Sequence, residues 1–289
     1  MKYGISVPPF GDYSDPRTLA RMAQEAEQAG WDGLFLWDHM VMGDERVADP
    51  WIALAAIALN TSHIALGPMV ISLARRRPWK VAREAVTLDH LSQGRLLLGF
   101  GLGGSGEDDF GRFGEAADDR IRAQKLDEGL TILDGLWSGQ PFSFHGEHYH
   151  LNDVTFRPTP LRQPRIPIWI GGSWDKPRPQ KRAARWDGYS PLKWLENMSV
   201  EEWKQVMEAV NRQRPQPDAP FDWIHNGQLP GDDPARAAEI ARPYAELGVT
   251  WWIEDAAPYR WGWRFDQPLT EQATRLMDDR IRQGPPLKR

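Results

Sequence analysis

Trp37-Asp38-His39 follows the apolar run Gly33-Leu34-Phe35-Leu36, which sets an imidazole beside a carboxylate where a strand gives way to a loop. An imidazole exchanges protons near neutrality because its unperturbed pKa is about 6.5. His39 is therefore the preferred acid/base of the chain, with Asp38 as the group that orients it; a packed or solvated His39 beside a loop-capping Asp38 is the structural alternative. A second cluster, Gly99-Phe100-Gly101-Leu102-Gly103-Gly104, carries the spacing G-x-G-x-x-G after a strand-like run. No helix begins directly after Gly104 to offer its N-terminus to a pyrophosphate, so Gly101 and Gly103 read as a close backbone approach to a planar ligand rather than a dinucleotide turn. Tight packing of a strand end is the alternative. A third cluster, Gly171-Gly172-Ser173, precedes Lys176, Arg178, Lys181, Arg182 and Arg185. Backbone amides, a helix start and basic side chains together make a phosphate cradle. Arg75-Arg76-Arg77 suits either anions or the solvation of a rim.

Other chemistries are poorly served. His145, His148 and His150 have a spacing that invites a metal, and His148 and His150 share one face if the segment is a strand, but no matched carboxylate accompanies them and no metal is expected. There is no G-x-S-x-G elbow for a serine nucleophile. The absence of cysteine excludes disulfides, thiolate metal sites and a cysteine nucleophile. With 35 Lys+Arg against 40 Asp+Glu, a net charge of −5, the chain has no surplus to neutralise a phosphate backbone, and nucleic acid is not an expected partner. The opening strand-like run is too short for a signal core and no stretch of about 20 apolar residues occurs, so a cytoplasmic protein without a membrane partner is expected. Fifteen tryptophans point to an aromatic-rich interior or pocket.

These residues need a scaffold that brings them to one edge. Strand-like runs open near Tyr3, Gly33, Ile64 and Leu96, at intervals of about thirty residues, the size of one βα unit. Between them, apolar residues recur at helical spacing over Pro16 to Ala29, Pro50 to Leu59 and Pro78 to Leu91, each starting with a proline suited to a first helical turn. A helix over Arg120 to Trp137 follows. Four more pairs are predicted: strand Ile166 to Ile170 with helix Pro179 to Arg185, strand Gly188 to Pro191 with helix Val200 to Arg212, strand Phe221 to Gly227 with helix Pro234 to Leu247, and strand Val249 to Ile253 with helix Leu269 to Arg282. Near-continuous apolar runs fit parallel strands covered on both faces. Eight such units close most naturally as an α/β (β/α)8 TIM barrel, with an open doubly wound sheet as the rival. The expectation is one domain over residues 1–289, with insertion loops at about 103–119, 139–164 and 256–267. The site of such a barrel lies at the carboxyl ends of its strands.

Taken in order, the strand-end residues resemble the bacterial luciferase-like family of flavin- and coenzyme F420-dependent oxidoreductases, over nearly the whole chain. The resemblance rests on Ala26 to His39 (A-E-Q-A-G-W-D-G-L-F-L-W-D-H), on L-G-P-M-V followed by Arg75 to Glu84, and on Thr87 to Gly101. It continues in R-I-P-I-W-I-G-G (Arg165 to Gly172) and A-A-R-W-D-G (Ala183 to Gly188). It implies a (β/α)8 barrel with the cofactor ring across the strand ends. The ring lies against a bulge at Pro68-Met69-Val70 that in the family often holds a non-proline cis peptide, so Met69 and Val70 support it. It also implies a cofactor-phosphate region at Gly171, Gly172 and Ser173 and an active-site histidine at His39. An Asp-His pair after the second strand looks more like the members that use coenzyme F420, a deazaflavin that transfers hydride. Members that use FMN place a histidine there too. In some deazaflavin-dependent dehydrogenases a glutamate directly follows the fourth-strand glycines as proton donor. Gly104 stands there in this chain, and Glu107 is carried as the nearest acid.

The expected function is thus coenzyme F420-dependent hydride transfer to or from a small organic substrate. His39 acts as acid/base with Asp38 and Glu107, Met69, Val70, Gly101, Gly103 and Gly171 to Ser173 hold the cofactor, and Phe10, Trp37, Trp174, Trp194 and Trp261 wall the pocket. The alternative is an FMN-dependent monooxygenase that uses O2 and a partner flavin reductase. More remote is a non-catalytic flavin-binding barrel. The resemblance makes a homodimer the expected assembly.

Overall fold

Prolines ahead of the apolar-periodic runs mark helix starts, since a proline at the first helical position gives up only an N–H that no intrahelical acceptor uses. The computed structural model describes all residues except 105, 194–195, 265–266, 268 and 287–289. In chain order it runs β1 (Lys2–Val7), α1 (Pro16–Gln28), β2 (Gly33–Leu36), α2 (Pro50–Asn60), β3 (Ala65–Pro68), β4 (Ile71–Ser72) and α3 (Pro78–Leu91). Then come β5 (Leu98–Gly101), α4 (Asp119–Trp137), β6 (Phe142–His145), β7 (His150–Val154), β8 (Ile168–Ser173) and α5 (Pro177–Ala183). The last elements are β9 (Gly188–Leu192), α6 (Val200–Asn211), β10 (Asp222–Gly227), α7 (Pro234–Leu247), β11 (Trp251–Asp255) and α8 (Glu271–Gln283). Asp15, Asp49 and Asp233 cap α1, α2 and α7 by accepting from backbone N–H groups. Ser199 and Glu202 form a reciprocal capping box on α6. Each satisfies donors that a helix start leaves without partners.

The sheet order is β3-β2-β1-β11-β10-β9-β8-β5-β4, with every neighbouring pair parallel. β3 and β4 are two halves of one strand interrupted at Met69 and Val70. β3 closes the ring on the segment before β5, where Leu97 N–H donates to the Leu66 carbonyl at 3.0 Å. Eight parallel strands with alternating helices make the (β/α)8 barrel. The bore is filled by Phe35, Leu97, Trp169, Ile224, Trp251 and Ile253, with Phe35, Trp169 and Trp251 ring centroids 5.5–5.9 Å apart. This is a packed core rather than a pore, and it absorbs part of the tryptophan excess.

Element boundaries shift by one to three residues from the sequence reading at many ends. The largest differences are that the strand opening near Ile64 is split at Met69 and Val70, that β8 runs from Ile168 to Ser173 rather than Ile166 to Ile170, and that α5 spans Pro177–Ala183 rather than Pro179 to Arg185. The 139–164 insertion folds into the antiparallel hairpin β6–β7, tied down by Glu128, whose carboxylate accepts from the Glu147, His148 and Tyr149 amides. Among the described residues, no group of three or more potential ligands gathers to hold a metal ion. No described helix is long and apolar enough to cross a membrane.

Candidate active site at the barrel mouth

His39 sits just past β2 with its side chain 26% exposed, and its Nδ1 lies 2.9 Å from Oδ2 of Asp109. Asp109 is brought there by the loop after β5, and its side chain is only 2% exposed. Its other oxygen accepts from the Met40 amide at 2.9 Å, and Arg75 Nη1 lies 3.8 Å away. Burial alone pushes this carboxyl up, but the hydrogen bond from His39, the Met40 amide and the charges of His39 and Arg75 outweigh it and hold the group below the usual carboxylate range. An ionised carboxylate only accepts, so the hydrogen between the two groups sits on His39 Nδ1. Gly104 passes beside the ring: a Cβ there would stand 3.1 Å from His39 Cε1. The missing side chain keeps that edge of the imidazole open.

Asp38 does not orient His39, contrary to the sequence expectation. Its carboxylate turns beneath the mouth, where Oδ1 pairs with Arg75 Nη2 at 2.8 Å and Arg76 Nη2 at 2.7 Å, and Oδ2 accepts from the Ser72 amide at 3.2 Å. Two guanidiniums and a buried location outcompete a neighbouring imidazole for a 1%-exposed carboxylate. Arg75 is thereby set between Asp38 and Asp109, giving a continuous line Arg76, Asp38, Arg75, Asp109, His39. Phe110 locks the loop by packing between Arg75 and Arg122, whose guanidinium carbons lie 5.8 and 4.7 Å from its ring centroid. Glu107 does not reach this cluster either. It is exposed, and its carboxylate folds back against Gly111 within its own turn.

Met69 and Val70 are half-buried at the mouth, and the peptide between them is cis. Val70 lies across the bore between Gly101 and Gly171, where a Cβ would come within 2.8 and 2.7 Å of its methyls. The two glycines therefore let one branched side chain form a flat apolar floor. Gly103 has a φ of +88° and runs against Ser72. At the end of β8, Gly172 packs on Pro179, and the Ser173 hydroxyl donates to Asp175 Oδ1 at 2.6 Å. Of the basic residues that follow, Lys176 pairs with Asp175 and buried Arg182 with Asp127, while Arg178, Lys181 and Arg185 face solvent.

The aromatic wall is partly as expected. Trp37 donates to Ser6 Oγ at 2.9 Å, lies edge-on to His39 at 5.9 Å, and stacks on Tyr259 at 6.2 Å. Phe10 is buried behind it against Trp37 and Trp263. Trp174 packs into the core beneath Lys193. Trp261 borders a separate outer cleft with Trp263, Thr270 and Leu276, and Trp194 lies outside the described residues. A cleft of about 270 Å³ opens between the ends of β9, β10 and β11, lined by residues that include Asn197, Asn226, Asp255 and Tyr259. The sequence reading passed over Asp109 and Tyr259; the Asp108-Asp109-Phe110 run in a glycine-rich loop is the only local signal for the former. His225, at the end of β10, is a core residue: Trp203 Nε1–H donates to its Nδ1 at 2.7 Å, and burial lowers its pKa to about 3.

Comparison with known proteins agrees with this architecture. An F420-dependent glucose-6-phosphate dehydrogenase from Microbacterium testaceum is 32% identical over 178 residues, covering 59% of this chain and 50% of the relative. The oxygenase component of a flavin-dependent trigonelline monooxygenase from Acinetobacter baylyi is 28% identical, covering 53% and 42%. The chain thus spans about half the length of these curated relatives. The coenzyme F420-dependent tetrahydromethanopterin reductase of Methanopyrus kandleri shares the fold with a TM-score of 0.74 over 98% of both chains at 15% identity. Residues 1–284 match the family described as luciferase-like monooxygenase; the chain belongs to that family.

Proposed function

We propose that this protein is an oxidoreductase that works with coenzyme F420 on a small organic substrate, with His39 as the acid/base. The observation that carries the reading is the pairing of His39 Nδ1 with buried Asp109 at 2.9 Å, which leaves Nε2 as the ring nitrogen to act at the barrel mouth. The residues fit a flat ring: Val70, flanked by Gly101 and Gly171, offers an apolar floor free of projecting polar groups. Met69, Val70, Gly101 and Gly103 would hold the ring, and Gly171, Gly172 and Ser173 would hold the phosphate. A bound deazaflavin would donate a hydride when reduced or accept one when oxidised. His39 then gives a proton from Nε2 to the oxygen of a carbonyl undergoing reduction, or takes one from the hydroxyl of an alcohol undergoing oxidation. Asp109 stabilises the imidazolium that forms in the second case. Trp37 covers one side of the imidazole.

The dehydrogenases named as F420-dependent among its relatives support the deazaflavin. The trigonelline monooxygenase component supports a second reading, in which FMN reduced by a partner reductase reacts with O2. A cytoplasmic homodimer belongs to the same proposal; Ile52 and Leu59, 66% and 69% exposed on one face of α2, suit a contact between copies. The test is a screen of small alcohols, aldehydes and ketones with wild-type and His39→Ala protein. Loss of turnover by about 10²- to 10⁴-fold with cofactor binding retained supports the role of His39, and unchanged turnover removes it from the mechanism.

A further inference from the structure

The cleft between the ends of β9, β10 and β11 has a chemistry that selects its occupant. Its volume of about 270 Å³ compares with roughly 30 Å³ per water in the liquid, which leaves room for a molecule of about nine non-hydrogen atoms. Among the described lining residues Lys193 is the only cation, and its ammonium is already held by Glu202 at 2.9 Å and Glu196 at 3.1 Å. Asp255 adds a lining carboxyl that burial pushes towards its neutral form; it accepts from the Tyr259 hydroxyl and the Ala257 amide, and Arg260 donates to its backbone carbonyl. The one lining cation is thus already matched by two carboxylates, so an anionic ligand meets no unpaired positive charge among the described lining residues.

The uncharged groups supply the positive side of the selection. Asn226 spends its amide nitrogen on Ser190 Oγ at 2.7 Å, which leaves Oδ1 as an acceptor. Asn197 spends Oδ1 on the Gln228 amide at 3.1 Å, which leaves its NH₂ as a donor. The Gln228 side chain offers both a donor and an acceptor. Interleaved donors and acceptors without net positive charge match hydroxyl, carbonyl and carboxamide groups. The cleft lies on the same rim as His39: its lining residue Tyr259 stacks on Trp37, and Trp37 abuts His39.

We infer that this cleft is the substrate subsite, that it takes small uncharged molecules bearing hydroxyl, carbonyl or carboxamide groups, and that it discriminates against phosphate esters and carboxylates, with Asn226 and Gln228 as the specificity-determining residues. Calling the occupant a substrate rests on the function proposed above; the ligand selectivity does not. The test is ligand-observed NMR on the full chain with size-matched probes: benzamide against benzoate, and acetamide against acetate. The expected result is saturable binding of at least one neutral member, at least tenfold tighter than its anionic partner, and lost in both Asn226→Leu and Gln228→Leu proteins that keep the wild-type circular dichroism. Tighter binding of the anions, binding of neither class, or neutral binding untouched by both substitutions overturns the inference. Titrating coenzyme F420 and FMN into the same samples separates the two claims: cofactor binding with anion preference sinks only the subsite, and neutral-probe selectivity without cofactor binding sinks only the proposed function.

Discussion

His39 and Asp109 meet across 70 residues of chain, Nδ1 to Oδ2 at 2.9 Å, so the imidazole at the end of β2 is oriented by a loop that belongs to β5. Such a long-range pair makes the loop part of what fixes the imidazole and not merely a cover. The buried acceptor fixes the tautomer, and the line of charge through Arg75 and Asp38 fixes the acceptor.

Asp109→Asn removes the charge and keeps the shape. An amide can accept from Nδ1–H or donate to Nδ1, so the tautomer is no longer enforced and an imidazolium loses its counter-charge. We expect turnover to fall by about 10- to 10³-fold, within the range of a general acid–base contribution. Steady-state kinetics checks this; unchanged turnover would show that Asp109 is only structural.

Arg75 is 4% exposed between two carboxylates. Arg75→Met leaves Asp38 with Arg76 alone and Asp109 without a cation, and removing one partner of a buried pair costs about 3–5 kcal/mol. Chemical denaturation should show that loss, together with weaker ordering of the Asp109 loop in hydrogen exchange. A loss below about 1 kcal/mol, typical of exposed pairs, would contradict it.

Gly101→Ala places a methyl 2.8 Å from Val70 Cγ2. The valine must shift out of the floor, and such overpacking costs about 1–3 kcal/mol. If Val70 supports the ring, cofactor affinity falls by about tenfold or more, since 1.4 kcal/mol is a factor of ten. An affinity within twofold of wild type would place the ring elsewhere.

His225 is neutral in the fold because burial lowers its pKa to about 3, whereas an unfolded histidine titrates near 6.5. Below that value the unfolded chain binds a proton that the native state refuses. The contribution is therefore intact above about pH 6.5 and is lost as pH falls toward 3, at up to about 1.4 kcal/mol per pH unit. Unfolding free energies from pH 7 to 4 should decline less steeply for His225→Phe than for the wild type. Parallel slopes would mean that His225 is protonated in the native state.

The barrel was legible because its signals are local. Proline starts, Asp caps and apolar runs recur at intervals of about thirty residues, and most predicted elements lie within three residues of those observed. The position of His39 followed from the end of β2. Its partner did not, because adjacency in sequence favoured Asp38, and nothing local records that Arg75 and Arg76 return to claim that carboxylate. Asp109 and Glu107 sit two residues apart in one glycine-rich loop. Only the packing of Phe110 between Arg75 and Arg122 decides which acid turns inward. The hairpin β6–β7 is short, and its placement depends on Glu128 from α4, a contact that nothing local in the 139–164 segment records.

The central claim, that the barrel mouth is a deazaflavin site served by His39, is tested most directly by titrating the protein with coenzyme F420 and separately with FMN, following quenching of its 15 tryptophans. Saturable quenching by coenzyme F420 in the micromolar range, with weaker binding of FMN and full retention in His39→Ala, is the predicted result. Preference for FMN would shift the reading to reduced-flavin oxygen chemistry, and binding of neither would contradict the account.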